Sequence, residues 1–97
     1  MFLDIGFTPA QASELSARSG LIFAIADTIK RRQLTEKEAA RRCGTDQSTL
    51  SKILRGRMES VTIDRLTGWL TVLGRTVEIH VRPYNSRAKR GTLVVAR

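Results

Sequence analysis

Gln47, Ser48, Ser51, Lys52 and Arg55 recur at the spacing of one helix face, and all five side chains are polar or basic. Their chemistry suits the edges of nucleobases. A carboxamide such as Gln47 pairs bidentately with adenine, Ser48 and Ser51 bond base edges or phosphate oxygens, and Lys52 donates to the acceptors of guanine. Arg55 and Arg57 follow directly, and a cationic loop after such a helix faces a phosphate backbone. The bland alternative is an ordinary solvated helix face, so the surrounding residues must decide.

The distribution of charge favours the first reading. Seventeen Lys and Arg against nine Asp and Glu give a formal charge of +8, and the sequence pI is near 11.1. Such a balance fits a polyanionic partner, although membrane-surface and ribosomal proteins share it. From Lys30 to Arg57 nine basic residues stand against three acidic ones, Glu36, Glu38 and Asp46, so much of the excess lies around the polar face. Arg41 and Arg42 are expected to face solvent.

Other chemistries find little support. No nucleophile and base, paired carboxylates or phosphate-cradling glycine loop can be assembled, so catalytic residues are expected to be none and the chain is read as a non-enzyme. One cysteine, Cys43, and one histidine, His80, supply neither a disulfide nor an ordinary four-ligand zinc site. No metal or cofactor is therefore expected. Cys43 reads as a small core residue and His80 as a strand surface or dimer-edge residue. No apolar run is long enough for a membrane span, and the N-terminus lacks a signal-peptide pattern, so a cytoplasmic protein without a membrane partner is expected.

The elements that would position the polar face follow from periodicity and caps. Leu21, Ile22, Ile25, Ala26 and Ile29 recur at helical spacing within Leu21 to Gln33, after a short helix expected from Pro9 to Arg18. Thr35 and Glu38 have capping-box spacing and open a second helix that stops at Gly44. Asp46 caps a third, Gln47 to Leu54, which stops at Gly56. Asp64 to Leu73 reads as a fourth, with Trp69 among leucines as a core or interface anchor. Thr76 to Arg82 instead alternates, Val77, Ile79 and Val81 against Glu78, His80 and Arg82, the period of a half-buried strand. Its partner is either the same strand of a second copy or the run Leu93 to Ala96. The first is favoured, with the polar basic stretch Tyr84 to Gly91 read as a disordered linker whose Arg87, Lys89 and Arg90 add nonspecific affinity for DNA or are simply solvated.

Two short helices about a tight turn form a helix-turn-helix, which needs a small residue in the first helix and a flexible one in the turn. Ala40 and Gly44 fill those places, and Leu50 plugs the angle. The stretch LTEKEAARRCGTDQSTLSKILRG resembles the helix-turn-helix of the Xre/Cro repressor family, and residues 21–83 share the likeness. The N-terminal segment further resembles the branch of HigA-like antitoxins. The resemblance implies a mainly α, lambda-repressor-like helix-turn-helix bundle of four to five helices with a C-terminal β-strand paired across a dimer. It divides the chain into an N-terminal arm (1–20), the DNA-binding domain (21–83, with its strand at 76–82) and a basic tail (84–97).

By the same resemblance Gln47, Ser48 and Lys52 approach bases, while Thr35, Thr49, Ser51, Arg55 and Arg57 approach phosphates. Three positions depart from the family. Glu36 replaces the usual Gln that opens the second helix, putting a repulsive charge near DNA, and Cys43 and Thr45 replace the usual Leu and Val about the turn glycine. The implied function is a homodimeric regulator of transcription that binds a double-stranded palindromic operator, an autorepressing antitoxin whose partner is a RelE/HigB-type toxin. The alternatives are a stand-alone repressor and a toxin-neutralising interaction module without specific DNA binding, which Glu36 favours.

Overall fold

The computed structural model describes residues 9–57, 61–84, 86–88 and 90–96. Four helices follow one another: α1 (Pro9–Arg31), α2 (Glu36–Cys43), α3 (Gln47–Leu54) and α4 (Ile63–Val72). Helix α1 is unbroken over 23 residues, so the short N-terminal helix and the helix from Leu21 are one element. A glycine inside a helix costs about 1 kcal/mol relative to alanine, and Gly20 sits inside this one for a steric reason. Its Cα face is covered by Val95, and a Cβ there would lie 3.0 Å from the Val95 Cβ.

Ala17, Leu21, Ile22, Ile25 and Ile29 form the buried stripe of α1. Thr28 is buried with them, and its hydroxyl donates to the Ala24 carbonyl at 2.7 Å, which removes the penalty of an unsatisfied hydroxyl. The stripe packs mainly on α4, through Leu66, Trp69 and Leu70, while α2 packs on α3. Ile25, Leu50, Leu66 and Leu73 are the largest fully buried side chains. Each stabilises the fold by about 1.5–3 kcal/mol through removal from water. Trp69 is 4% exposed, in the core as its neighbours implied, and the Arg65 guanidinium lies 5.3 Å from its ring centroid. Cys43 is half-buried against the same core, and burial pushes its thiol pKa up.

The helix ends are made by the residues that the sequence marks, with one shift. Gly44 (φ 72°), Gly56 (φ 98°) and Gly74 (φ 96°) lie in the left-handed region after α2, α3 and α4. Helix α4 begins at Ile63 rather than Asp64, because the Thr62 hydroxyl accepts from the Arg65 amide at 3.1 Å. Its other end is held from outside: Arg32 Nη1 donates to the Leu73 carbonyl at 2.9 Å, beside Gly74. Arg32 thus ties the chain after α1 to the exit from α4.

The C-terminal part departs from expectation. Among the described residues there is no strand, and residues 76–82 carry no ladder in the single chain. The reason is the lack of a neighbour. Val77 packs partly against the core, but Ile79 and Val81 are 85% and 91% exposed. The run from Leu93 docks on α1 instead of lying beside them. The Leu93 amide donates to Ser13 Oγ at 2.7 Å, and that hydroxyl donates to the Leu93 carbonyl at 3.2 Å. Residues 93–95 are therefore part of the folded body and not free tail.

Candidate nucleic-acid interface

Helices α2 and α3 meet around Ala40, Gly44 and Leu50. Ala40 and Leu50 are 2% and 0% exposed, and both lie in the hydrophobic core. The small side chain permits close approach, and the left-handed Gly44 turns the chain without a Cβ penalty. The Thr45 amide donates to the Ala40 carbonyl at 3.0 Å and closes the end of α2.

Both helices are held at their N-termini by side chains. The Thr35 hydroxyl accepts from the Glu38 amide at 3.1 Å while the Glu38 carboxylate accepts from the Thr35 amide at 3.0 Å. The Thr35 bonds hold the Glu38 carboxyl below its ordinary pKa, with help from Arg42 and Arg41. Asp46 Oδ1 accepts from the Thr49 amide at 2.6 Å, and that bond likewise lowers the Asp46 pKa. The caps fix where α3 starts, and so which side chains point away from Leu50 and Ile53.

Those side chains include the expected base-reading set. Gln47, Ser48 and Lys52 are exposed on α3, the first two in its opening turn. Arg55 and Arg57 are exposed just beyond the helix, with the Arg57 amide bonded to the Lys52 carbonyl at 3.0 Å. Among the described residues no carboxylate forms a salt bridge with Lys52, Arg55 or Arg57. Thr49 is half-buried and Thr35 is exposed with its oxygen engaged in the cap. Arg41 and Arg42 are exposed on α2, as expected.

Ser51 is placed differently from its companions. Its hydroxyl donates to the carboxylate of Glu36, the first residue of α2. A phosphate oxygen only accepts, so Ser51 reaches one only by releasing Glu36. The sequence identifies both residues but not their pairing, because 15 positions separate them. The Arg32 clamp and the Ser13 to Leu93 contact were likewise missed. In each case one partner is a backbone carbonyl or amide distant in sequence, which leaves no mark on side-chain pattern.

The other expected positions lie outside this surface. Val77 is half-buried, while Ile79, Val81 and His80 are exposed, with His80 Nε2 3.8 Å from Glu78 Oε2. Among the described residues no group of His, Cys, Asp and Glu could hold a metal ion. None of their helices is long and apolar enough to cross a membrane.

Comparison with known proteins agrees with this geometry. A solved structure assigned to the XRE family of transcriptional regulators superposes with a TM-score of 0.79 at 27% identity, covering 89% of this chain and 97% of that one. No curated protein matches the sequence. The helix-turn-helix domain family matches residues 1–82, which takes in α1 through α4, and the chain belongs to that family.

Proposed function

We propose that the chain is a sequence-specific, DNA-binding regulator of transcription, a binding protein and not an enzyme, acting in the cytoplasm. The observation that carries this reading is the exposed face of α3, where Gln47, Ser48 and Lys52 project beside Arg55 and Arg57 and where, among the described residues, no carboxylate forms a salt bridge with the cations. Gln47 and Lys52 read base edges in the major groove, Ser48 supports them, and Arg55, Arg57, Thr35 and Thr49 contact phosphate. The likeness to an XRE-family transcriptional regulator supports the same assignment.

The regulator works as a homodimer on a palindrome with half-sites about 34 Å apart, one helical turn. Residues 76–82 supply the two-fold contact. Pairing them antiparallel across the axis gives a ladder to a segment that has none in the single chain, and covers Ile79 and Val81. The resemblance to HigA-like antitoxins extends the proposal to autorepression and neutralisation of a RelE/HigB-type toxin. One observation favours a second reading, a toxin-neutralising module without specific DNA binding: Glu36 puts a carboxylate beside α3.

Titration onto a DNA fragment from upstream of its own gene, against a scrambled fragment at several salt concentrations, tests the proposal. Tighter binding to the upstream fragment is expected at every salt concentration. Equal binding with a steep salt slope reduces the activity to nonspecific charge and favours the second reading. A basic ribonuclease-like protein co-purifying with the chain would support the antitoxin role under either reading.

A further inference from the structure

The segment Thr92–Ala96 lies beyond the residues that the family match covers, yet α1 carries a shaped seat for it. Ser13 satisfies both the amide and the carbonyl of Leu93. About two turns further along α1, Gly20 leaves room for Val95, whose Cβ, Cγ1 and Cγ2 would all lie within 3.4 Å of a Cβ at that position. Ile63 at the start of α4 lines a hollow with Ser13, Glu14 and Leu93, at the other end of the segment. The seat therefore fixes both register and side-chain size.

We propose that this segment is exchanged between two copies of the chain, each Val95 resting on Gly20 of the partner subunit. The proposal rests on the two-fold dimer described above. When residues 76–82 pair antiparallel, residue 82 of one copy lies beside residue 76 of the other, close to the end of that copy's α4. The continuing chain then arrives at the partner's body, where α4 packs on α1. The connection also reaches far enough. Residues 83–91, the stretch that the ladder leaves free, span roughly 30 Å when fully extended at about 3.3 Å each, about twice the length of the ten-residue α4, whose first residue lines a hollow beside Ser13 and Leu93. Exchange keeps every contact of the seat, since the copies are identical.

A disulfide across the seat tests the exchange. The distance of 3.0 Å between a Cβ at Gly20 and the Val95 Cβ is about half an ångström short of the 3.5–4.5 Å of bonded cysteines, and Val95→Cys removes the methyl groups that crowd it, so after a small shift Gly20→Cys with Val95→Cys in a Cys43→Ala chain should pair on oxidation. Exchange predicts covalent dimers on a non-reducing gel. Covalently closed monomers from a species that sedimentation shows to be dimeric would overturn the exchange and leave the dimer standing. A monomer at all concentrations would overturn both. Complementation gives a second result independent of thiol geometry. Gly20→Val spoils the groove and Val95→Asp spoils the segment, so each variant alone should melt below the wild type. Co-refolded, they form a hybrid in which the intact segment of the first meets the intact groove of the second. Exchange predicts a melting transition several degrees above that of either variant, and no rise would overturn it.

Discussion

The Ser51 hydroxyl donates to the Glu36 carboxylate, joining α3 to the first residue of α2 across the turn between them. The bond occupies the one proton of the Ser51 hydroxyl and holds a negative charge beside the exposed polar face of α3. Glu36→Gln keeps an acceptor for Ser51 while removing the charge. It should tighten DNA binding about three- to tenfold, because a like charge near phosphates is lost, whereas Ser51→Ala should change affinity less than about twofold. Fluorescence titration of the two variants checks this. Weaker binding by Glu36→Gln would instead mark the carboxylate as an acceptor for cytosine N4.

Arg55 and Arg57 are exposed cations without salt bridges among the described residues. Substituting either with alanine should weaken binding to specific and scrambled DNA alike and lower the slope of log affinity against log salt by about one. Unequal loss on the two DNAs would show that the residue reads sequence.

The caps of α2 and α3 make stability depend on acid. Asp46 and Glu38 have pKa values lowered in the folded state by their bonds to Thr49 and Thr35. Their contribution is therefore present above the unfolded carboxylate pKa, about 4, and is lost as pH falls through the folded value. Asp46→Asn keeps a capping oxygen but does not titrate. On acidification, urea midpoints should fall more steeply for the wild type than for Asp46→Asn, and parallel curves would remove Asp46 from the acid response.

Arg32, just past α1, donates to the carbonyl of Leu73, just past α4, at 2.9 Å. Hydrogen bonds to charged groups contribute about 1.5–3 kcal/mol when shielded, and this one is partly exposed, so Arg32→Ala should cost about 1 kcal/mol in urea unfolding. Leu50→Ala, at the fully buried helix crossing, should cost about 2–5 kcal/mol. A larger loss for Arg32→Ala than for Leu50→Ala would reverse the ranking.

Local chemistry made the helix-turn-helix legible in the sequence. Thr35, Glu38, Gly44 and Asp46 act through bonds within five residues, so their spacing carries the signal, and α2 and α3 lie within the bounds it set. The break expected near Gly20 is absent, because the glycine answers to Val95, 75 positions away, and not to a local turn. The alternation of Val77, Ile79 and Val81 is real, but periodicity gives no address for a partner strand, and the single chain has none among its described residues. Exposure of Gln47, Ser48 and Lys52 followed from the burial of Leu50 and Ile53, whereas the commitment of Ser51 to Glu36 depended on how two helices cross.

The central claim is that α3 reads DNA sequence, and the specificity ratio of a Gln47→Ala, Lys52→Ala chain tests it most directly. Affinities for the upstream fragment and for scrambled DNA would be measured at one salt concentration beside the wild type. The account predicts that the ratio collapses toward one, with a loss of about 1–3 kcal/mol per base contact on the specific fragment alone. An unchanged ratio would contradict it.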